Sequence, residues 1–255
     1  MVEQKGIIGI VGGMGPSAGI DLSSKIISQT VAGSDQKHLP QLLFSFPSSI
    51  SDRTRFILGQ ETVNPALAIA RVLQKLEMCG ATVAGMACNS AHAPVIFNEV
   101  VRQIENHNLT IRLLHMIKEV GLFIRDRYPH VKSVGVLGTT GTFVSGLYEQ
   151  LEEFGLDVRN VSEREQASLH SSIYSQTYGI KSFPDNIPAR AIDLLCDACR
   201  SLKEKGADLL VFGCTEFPLA YRQPMFEGIP VIDSNMVLAR ALIREVAPDK
   251  LRPWK

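Results

Sequence analysis

The sequence predicts an α/β protein of two similarly built domains, each a parallel sheet flanked by helices, with the active site between them. Three observations predict it: short apolar runs alternate with helical stretches, landmarks of the first half recur in the second at one spacing, and each half opens with its own glycine turn. The apolar runs lie at 7–11, 42–46, 83–87, 134–137, 209–212 and 231–232 and are largely β-branched. Near-continuous apolar strands of this kind are those buried on both faces of a parallel sheet. Between them, 65–79 and 188–205 carry apolar residues at helical spacing, and strands alternating with helices give layered α/β architecture.

The repeat is the sharper signal. Gly9, Gly12 and Gly15 recur as Gly135, Gly138 and Gly141, each 126 residues on. Gly80-Ala81 recurs as Gly206-Ala207, and Cys88 as Cys214, at the same offset of 126. One constant offset over these five landmarks indicates two pseudo-symmetric units. A single (β/α)₈ barrel has the right length and is often twofold as well, but it is built from uniform βα units rather than two separate glycine turns. The expected division is 1–116 with 230–255 as the N-terminal domain and 117–229 as the C-terminal one.

Bulk properties narrow the function. Hydrophobic residues make up 45% of the chain, ample for a core, and 26 Lys and Arg balance 26 Asp and Glu. Such a balance offers no net field to attract nucleic acid or an anionic membrane. No apolar run approaches the roughly 20 residues that span a bilayer. The opening Met-Val-Glu-Gln-Lys-Gly lacks the apolar segment of a signal peptide, so the cytoplasm is the expected compartment. Five cysteines, an odd number, point to free thiols rather than a disulfide framework.

In open parallel sheets, ligands bind beyond the carboxyl ends of the strands. Four segments fall there at the repeat spacing: 12–16, 138–142, 88–92 and 214–218. Each cysteine follows an apolar strand and precedes a helix start that Asn89-Ser90 or Thr215-Glu216 suits as a cap. The free N–H groups of such a helix suit a carboxylate, and its N-terminus is expected to lower the thiol pKa from about 8.5. If the halves face each other, two activated thiols approach one substrate from opposite sides. Stereoinversion at a carbon acid requires that geometry: one thiolate removes the α-proton and the opposing thiol delivers one. Each acid–base step of this kind contributes about 10²–10⁴-fold. Either cysteine alone would read as a small core residue; the matched pair does not.

Met-Ala-Cys88-Asn-Ser-Ala-His92 and Gly-Cys214-Thr-Glu-Phe-Pro-Leu resemble the two cysteine motifs of the aspartate/glutamate racemase superfamily. Val-Gly-Gly-Met-Gly-Pro16 resembles the aspartate racemase branch, and the Asp-Ser-Gly opening of cell-wall glutamate racemases is absent. The resemblance runs from about residue 6 to 234. It implies two facing α/β domains, no pyridoxal phosphate or other cofactor, no metal, and a homodimer. Its catalytic pair falls on Cys88 and Cys214. Ser-Asp52-Arg53-Thr54 resembles a signature whose arginine contacts the side-chain carboxylate of the substrate, and Tyr178-Gly-Ile-Lys181 a segment whose lysine helps to bind it. Lys181 corresponds to position 55 across the repeat, so the two halves each bring a cation. A pair of cations suits an acidic amino acid, and an arginine can grip its carboxylate with two parallel hydrogen bonds. The remaining substrate-binding positions implied are Met14 and Gly15 in the glycine turn, Asn89, Ser90, Thr139, Thr142 and Thr215 around the α-carboxylate, and Glu216, which tunes Cys214 or caps its helix. His92, one turn after Cys88, is a possible relay. Gly19 and Ser51 depart from the family's usual threonine and proline and are expected to reshape the pocket.

Other signals point to packing. Cys196-Asp-Ala-Cys199 has zinc or redox spacing, yet it maps onto Ala70 and Leu73 of the matching helix, and no second ligand pair follows. Cys79, late in a helix, and His115, in a segment resembling a family hinge, read as structural. There is no Walker lysine, no Gly-x-Ser-x-Gly and no dinucleotide fingerprint. The activity expected is aspartate racemisation. The alternatives are a glutamate, broad-specificity or hydantoin racemase, a maleate isomerase, or a two-lobed amino-acid binding protein without chemistry.

Overall fold

The computed structural model describes residues 6–254. The first half runs β1 (Ile7–Gly12), α1 (Pro16–Gln29), β2 (Gln41–Ser45), α2 (Arg53–Ile57), α3 (Ala66–Met78), β3 (Ala81–Met86), α4 (Pro94–Asn106), β4 (Arg112–Leu113) and α5 (Met116–Arg127). The second runs β5 (Ser133–Gly138), α6 (Thr140–Val144), β6 (Asp157–Arg159), α7 (Glu163–Tyr174), α8 (Ala189–Glu204), β7 (Leu209–Gly213), α9 (Phe217–Ala220), β8 (Met225–Phe226), β9 (Ile229–Asp233) and α10 (Ser234–Val246). Two separate sheets form, ordered β2-β1-β3-β4 and β6-β5-β7-β9-β8, parallel throughout except for the β8–β9 edge pair. The single closed barrel is thereby excluded.

The repeat survives at the level of atoms. A Cβ on Gly9 would lie 3.2 Å from both Leu76 Cδ1 and Ala81 Cβ, and one on Gly135 would lie 3.0 Å from Leu202 Cβ and 3.1 Å from Ala207 Cβ. These partners are themselves 126 residues apart. Both glycines therefore let α3 and α8 approach their sheets closely, for the same steric reason in each half.

Side chains alternate along the strands and split the molecule into three cores. Ile8 and Ile10 of β1, Val134 and Val136 of β5, and Leu209 and Val211 of β7 face a central core shared by both sheets and filled by α1, α5 and α10. Val11, Ala84 and Met86 face outward onto α3 and α4, and Leu137, Leu210 and Phe212 face outward onto α7 and α8. The final helices sit across the boundary between the halves. Leu238 and Leu242 of α10 approach within 3.0 Å of a Cβ built on Gly85 of β3, whereas α5 packs on the 3₁₀ segment Leu147–Phe154 of the second half, closely enough that a Cβ on Gly121 would meet Phe154 at 2.5 Å.

Several details differ from the sequence reading. The strands β4, β6 and β8 were not expected; they are two or three residues long and lie at or near sheet edges. Of the residues from 230 onward, placed in the first domain on sequence, β9 pairs with β7 in the second sheet, whereas α10 and the segment after it pack on the first, with Lys250 O accepting from Val31 N and Arg252 N donating to Gln29 O. Cys199 is buried in the core beneath α8 as expected, but Cys79 is the exposed residue that ends α3 rather than a packed one.

Candidate active site

The carboxyl ends of the central strands of both sheets converge on one small cleft. From the first half, the turn after β1 brings Met14. The Asp52 carboxylate accepts from Arg55 N at 2.9 Å and so caps α2, making Arg53 its first residue. β3 delivers Cys88, followed by Asn89 and Ser90 in a 3₁₀ turn. From the second half, Thr139 caps α6 by accepting from Thr142 N at 3.2 Å, the segment after α7 brings Lys181, and β7 delivers Cys214, Thr215 and Glu216. All of these line the cleft, joined by Gly213 and Tyr174.

Two expected positions stand apart. Gly15 is outside the lining, although a Cβ there would lie 3.3 Å from Glu216 Oε1. His92 is fully buried behind Cys88: its Nδ1 lies 2.9 Å from the Cys88 carbonyl oxygen, and its ring packs on Phe97 and His115. Burial pushes its pKa down to about 4. Gly19 and Ser51 do not line the cleft either. Gly19 abuts Leu43 and Gly12 beneath the sheet, and Ser51 Oγ donates to Val63 O at 2.8 Å, tying together the ends of the segment that carries α2.

The two sulfurs have unlike neighbours. Cys214 Sγ donates to Glu216 Oε2 at 3.0 Å, and Thr215 Oγ1 donates to the same oxygen at 3.3 Å. The other carboxylate oxygen pairs with Lys181 Nζ at 3.2 Å. Burial pushes the Cys214 thiol well above its ordinary range, and the adjacent carboxylate pushes it further. The lowered thiol pKa expected from a helix N-terminus is therefore wrong for Cys214. The helix that follows, α9, is a single turn of four residues, and desolvation beside an anion outweighs so short a dipole. Burial alone would raise the Glu216 carboxyl, but the Lys181 ammonium and the hydrogen bonds from Cys214 and Lys181 hold it below its usual range.

Cys88 instead lies beside a cation. Its Sγ is 3.6 Å from Ser90 Oγ, and the Arg53 guanidinium borders it. Arg53 is only 7% exposed. Its Nη2 donates to Met14 O at 2.7 Å and its Nη1 to Ser51 O at 3.2 Å, while its buried Nε has no partner among the described residues. A fixed, buried guanidinium with an unused N–H is a ready anion site.

Tyr174 escaped the sequence reading. Its position 126 residues earlier is Ser48, so the repeat gives it no counterpart. Its ring stacks on His170 at 4.6 Å between centroids and carries the Lys181 ammonium 4.8 Å above its face, and burial pushes its hydroxyl up to about 12. Its lone clue in the sequence was an aromatic residue seven positions before the lysine.

A polar cleft closed between two duplicated α/β lobes, with one thiol from each lobe, defines a class of thiol-bearing, two-lobed proteins. The chain belongs to the Asp/Glu/Hydantoin racemase family, whose profile matches residues 11–242. Among solved structures it is similar to the Picrophilus torridus aspartate racemase, at 29% identity and a TM-score of 0.78 over 94% of each chain. An aspartate racemase homologue from Pyrococcus horikoshii shares the fold, at 23% identity and a TM-score of 0.69 over 94% of this chain and 98% of the other. A glutamate racemase of Bacillus cereus is 25% identical over 159 residues, 61% of this chain and 53% of that one, so the chain spans about half the length of that relative. No helix among the described residues is long and apolar enough to cross a membrane.

Proposed function

We propose that the chain is a cofactor-independent amino-acid racemase acting on aspartate, in which Cys88 and Cys214 pass the Cα proton between them. The observation that carries this reading is that one thiol from each half lines the same cleft. The step balances without a further group: a cysteine thiolate takes the α-proton, the electron pair is left on Cα and its carboxylate, and the opposing thiol returns a proton to the other face, becoming the thiolate in its turn. Burial and Glu216 favour the protonated form of Cys214, which suits it to donate, and a thiolate at Cys88 would face the Arg53 guanidinium. Both groups are buried, and away from bulk solvent such opposite charges interact more strongly.

The substrate assignment rests on the cations. Arg53, with its buried and unpartnered Nε, suits the side-chain carboxylate. Lys181 is already paired with Glu216, which makes Arg53 the stronger determinant of substrate class. Asn89, Ser90, Thr139, Thr142 and Thr215 surround the remaining space with hydroxyl and amide groups suited to the α-carboxylate. Glutamate is the second reading, favoured by the likeness to the Bacillus cereus glutamate racemase. The active species is taken to be a homodimer, which light scattering tests directly. Incubating L-aspartate and, separately, L-glutamate with the protein in D₂O should give Cα-deuterated D-aspartate in preference to D-glutamate. Absence of exchange across acidic and neutral amino acids refutes the racemase reading, and preference for glutamate refutes the aspartate assignment.

A further inference from the structure

Asn89 stands in the cleft, but both atoms of its amide are tied behind it. Tyr148, buried in the central core, donates from its hydroxyl to Asn89 Oδ1 at 2.7 Å. Asn89 Nδ2 donates to Ser234 Oγ at 3.0 Å, and Ser234 Oγ donates in turn to the Phe212 carbonyl oxygen at 2.9 Å. The direction of this chain is determined by its last member. A carbonyl only accepts, so Ser234 spends its proton there and accepts from Nδ2. The amide then has one orientation, its oxygen turned to Tyr148, which must donate, and one N–H on Nδ2 remains unspent.

Three segments distant in sequence meet in this chain: the turn after β3, the 3₁₀ segment of the second half, and the start of α10. The tyrosine is not a product of the repeat. Its equivalent 126 residues earlier is Leu22, which fills the same core as a plain hydrocarbon. Room has also been made for its ring. A Cβ on Gly213 would lie 2.8 Å from Tyr148 Cε2, and the equivalent of Gly213 in the first half is Ala87. The residue before the second thiol is thus a glycine where the aryl ring crosses it, and an alanine where no ring does.

We propose that Tyr148 and Ser234 are positioning residues for the reaction: they lock the Asn89 amide so that its remaining N–H is presented to the substrate in the cleft. This rests on the racemase reading above. Neither residue is among those lining the cleft, so both act through Asn89.

The test is a double-mutant cycle on α-proton exchange. Tyr148→Phe keeps the ring and its packing, and Ser234→Ala removes only the hydroxyl. Each should lower kcat/KM about 10-fold. Placed in an Asn89→Ala background, neither should lower it further, because the amide they orient is gone. Tyr148→Phe should even recover stability there, since the tyrosine hydroxyl would otherwise be buried without a partner. Losses that multiply in the double variants, or full activity in both single variants, overturn the proposal. If Tyr148→Phe does not fold, the Ser234→Ala pair decides the question alone. Wild-type protein that exchanges no amino acid overturns the racemase reading itself, and this proposal with it, an outcome distinct from active wild type with multiplying losses.

Discussion

The turns after β3 and β7 occupy equivalent places in a duplicated frame, yet they hold their sulfurs in opposite surroundings. Cys88 has a hydroxyl and a guanidinium beside it. Cys214 has a carboxylate, itself held by a lysine. The frame could duplicate because glycine, alanine and leucine contacts beneath each sheet are indifferent to chemistry. The sites on top diverged one residue at a time, and what distinguishes them is charge rather than backbone.

The largest effect expected of this comparison comes from removing either sulfur. Under the proposed proton transfer, Cys88→Ala and Cys214→Ala should each reduce racemisation at least about 10³-fold, since each would remove one of the two acid–base groups. Full activity in either variant would mean that only one half performs the chemistry. For a racemase the equilibrium constant is one, so kcat/KM must be equal from both enantiomers at every pH; the inequality of the two sites can show only as proportionate differences in kcat and KM and in the pH dependence of each.

A second contrast concerns acid. His92 corresponds to Pro218 in the second half, so only the first half carries this buried imidazole behind its thiol. Its pKa in the fold is about 4, against an ordinary value of 6.5, through burial. The unfolded chain therefore takes up a proton first as pH falls, and stability present above about pH 6.5 is lost on the way down to about 4, by about 3 kcal/mol in all. His115 beside it is likewise pushed down to about 3, by burial first and then by repulsion from His92, and titrates with it. Urea melts at pH 7 and pH 4.5 should show His92→Gln losing less stability than wild type, and hydrogen exchange at the lower pH should open β3 and α4 before β7. Simultaneous opening of both halves would remove the contrast.

The cations come next. Arg53→Ala should raise KM for aspartate about 10–100-fold, the worth of a charge-assisted hydrogen bond, while leaving KM for alanine nearly unchanged. An equal change for both substrates would show that Arg53 does not read the side chain. The smallest effect is expected from Glu216→Gln. Without the carboxylate, the Cys214 thiol should titrate lower, and its alkylation by iodoacetamide at pH 8 should quicken up to about 10-fold. An unchanged rate would leave burial as the sole cause of its high pKa.

Much of the frame was legible in the sequence, and for a physical reason. β1, β3, β5 and β7 are central strands buried on both faces, so their apolar runs are unmistakable. The strands β4, β6 and β8 are short and lie at or near the edges, with Arg112, Asp157, Arg159 and Met225 among their residues, and two or three residues show no period. In the site, the repeat led to Cys88 and Cys214, and family resemblance to Arg53 and Lys181. Neither led to Tyr174, which has no counterpart in the repeat and ends a helix that the sequence reading did not mark. The state of Cys214 was misjudged because Thr215-Glu216 looked like a local cap. The Glu216 carboxylate is in fact oriented by Lys181, from a distant segment, toward the sulfur. Local sequence carries caps and periods; it does not carry a charge brought in from elsewhere.

The helix α10 has a consequence for how this chain comes off the ribosome. Leu238 and Leu242 close over the face of the first sheet that also presents Ile8 and Ile10. Roughly 230 residues separate those partners, and at about 5–20 residues per second synthesis leaves that apolar face unfinished for about 10–50 s. During that interval the nascent first half offers a sticky sheet to any chaperone or neighbouring chain, and α10 arrives as the late cover that ends the exposure.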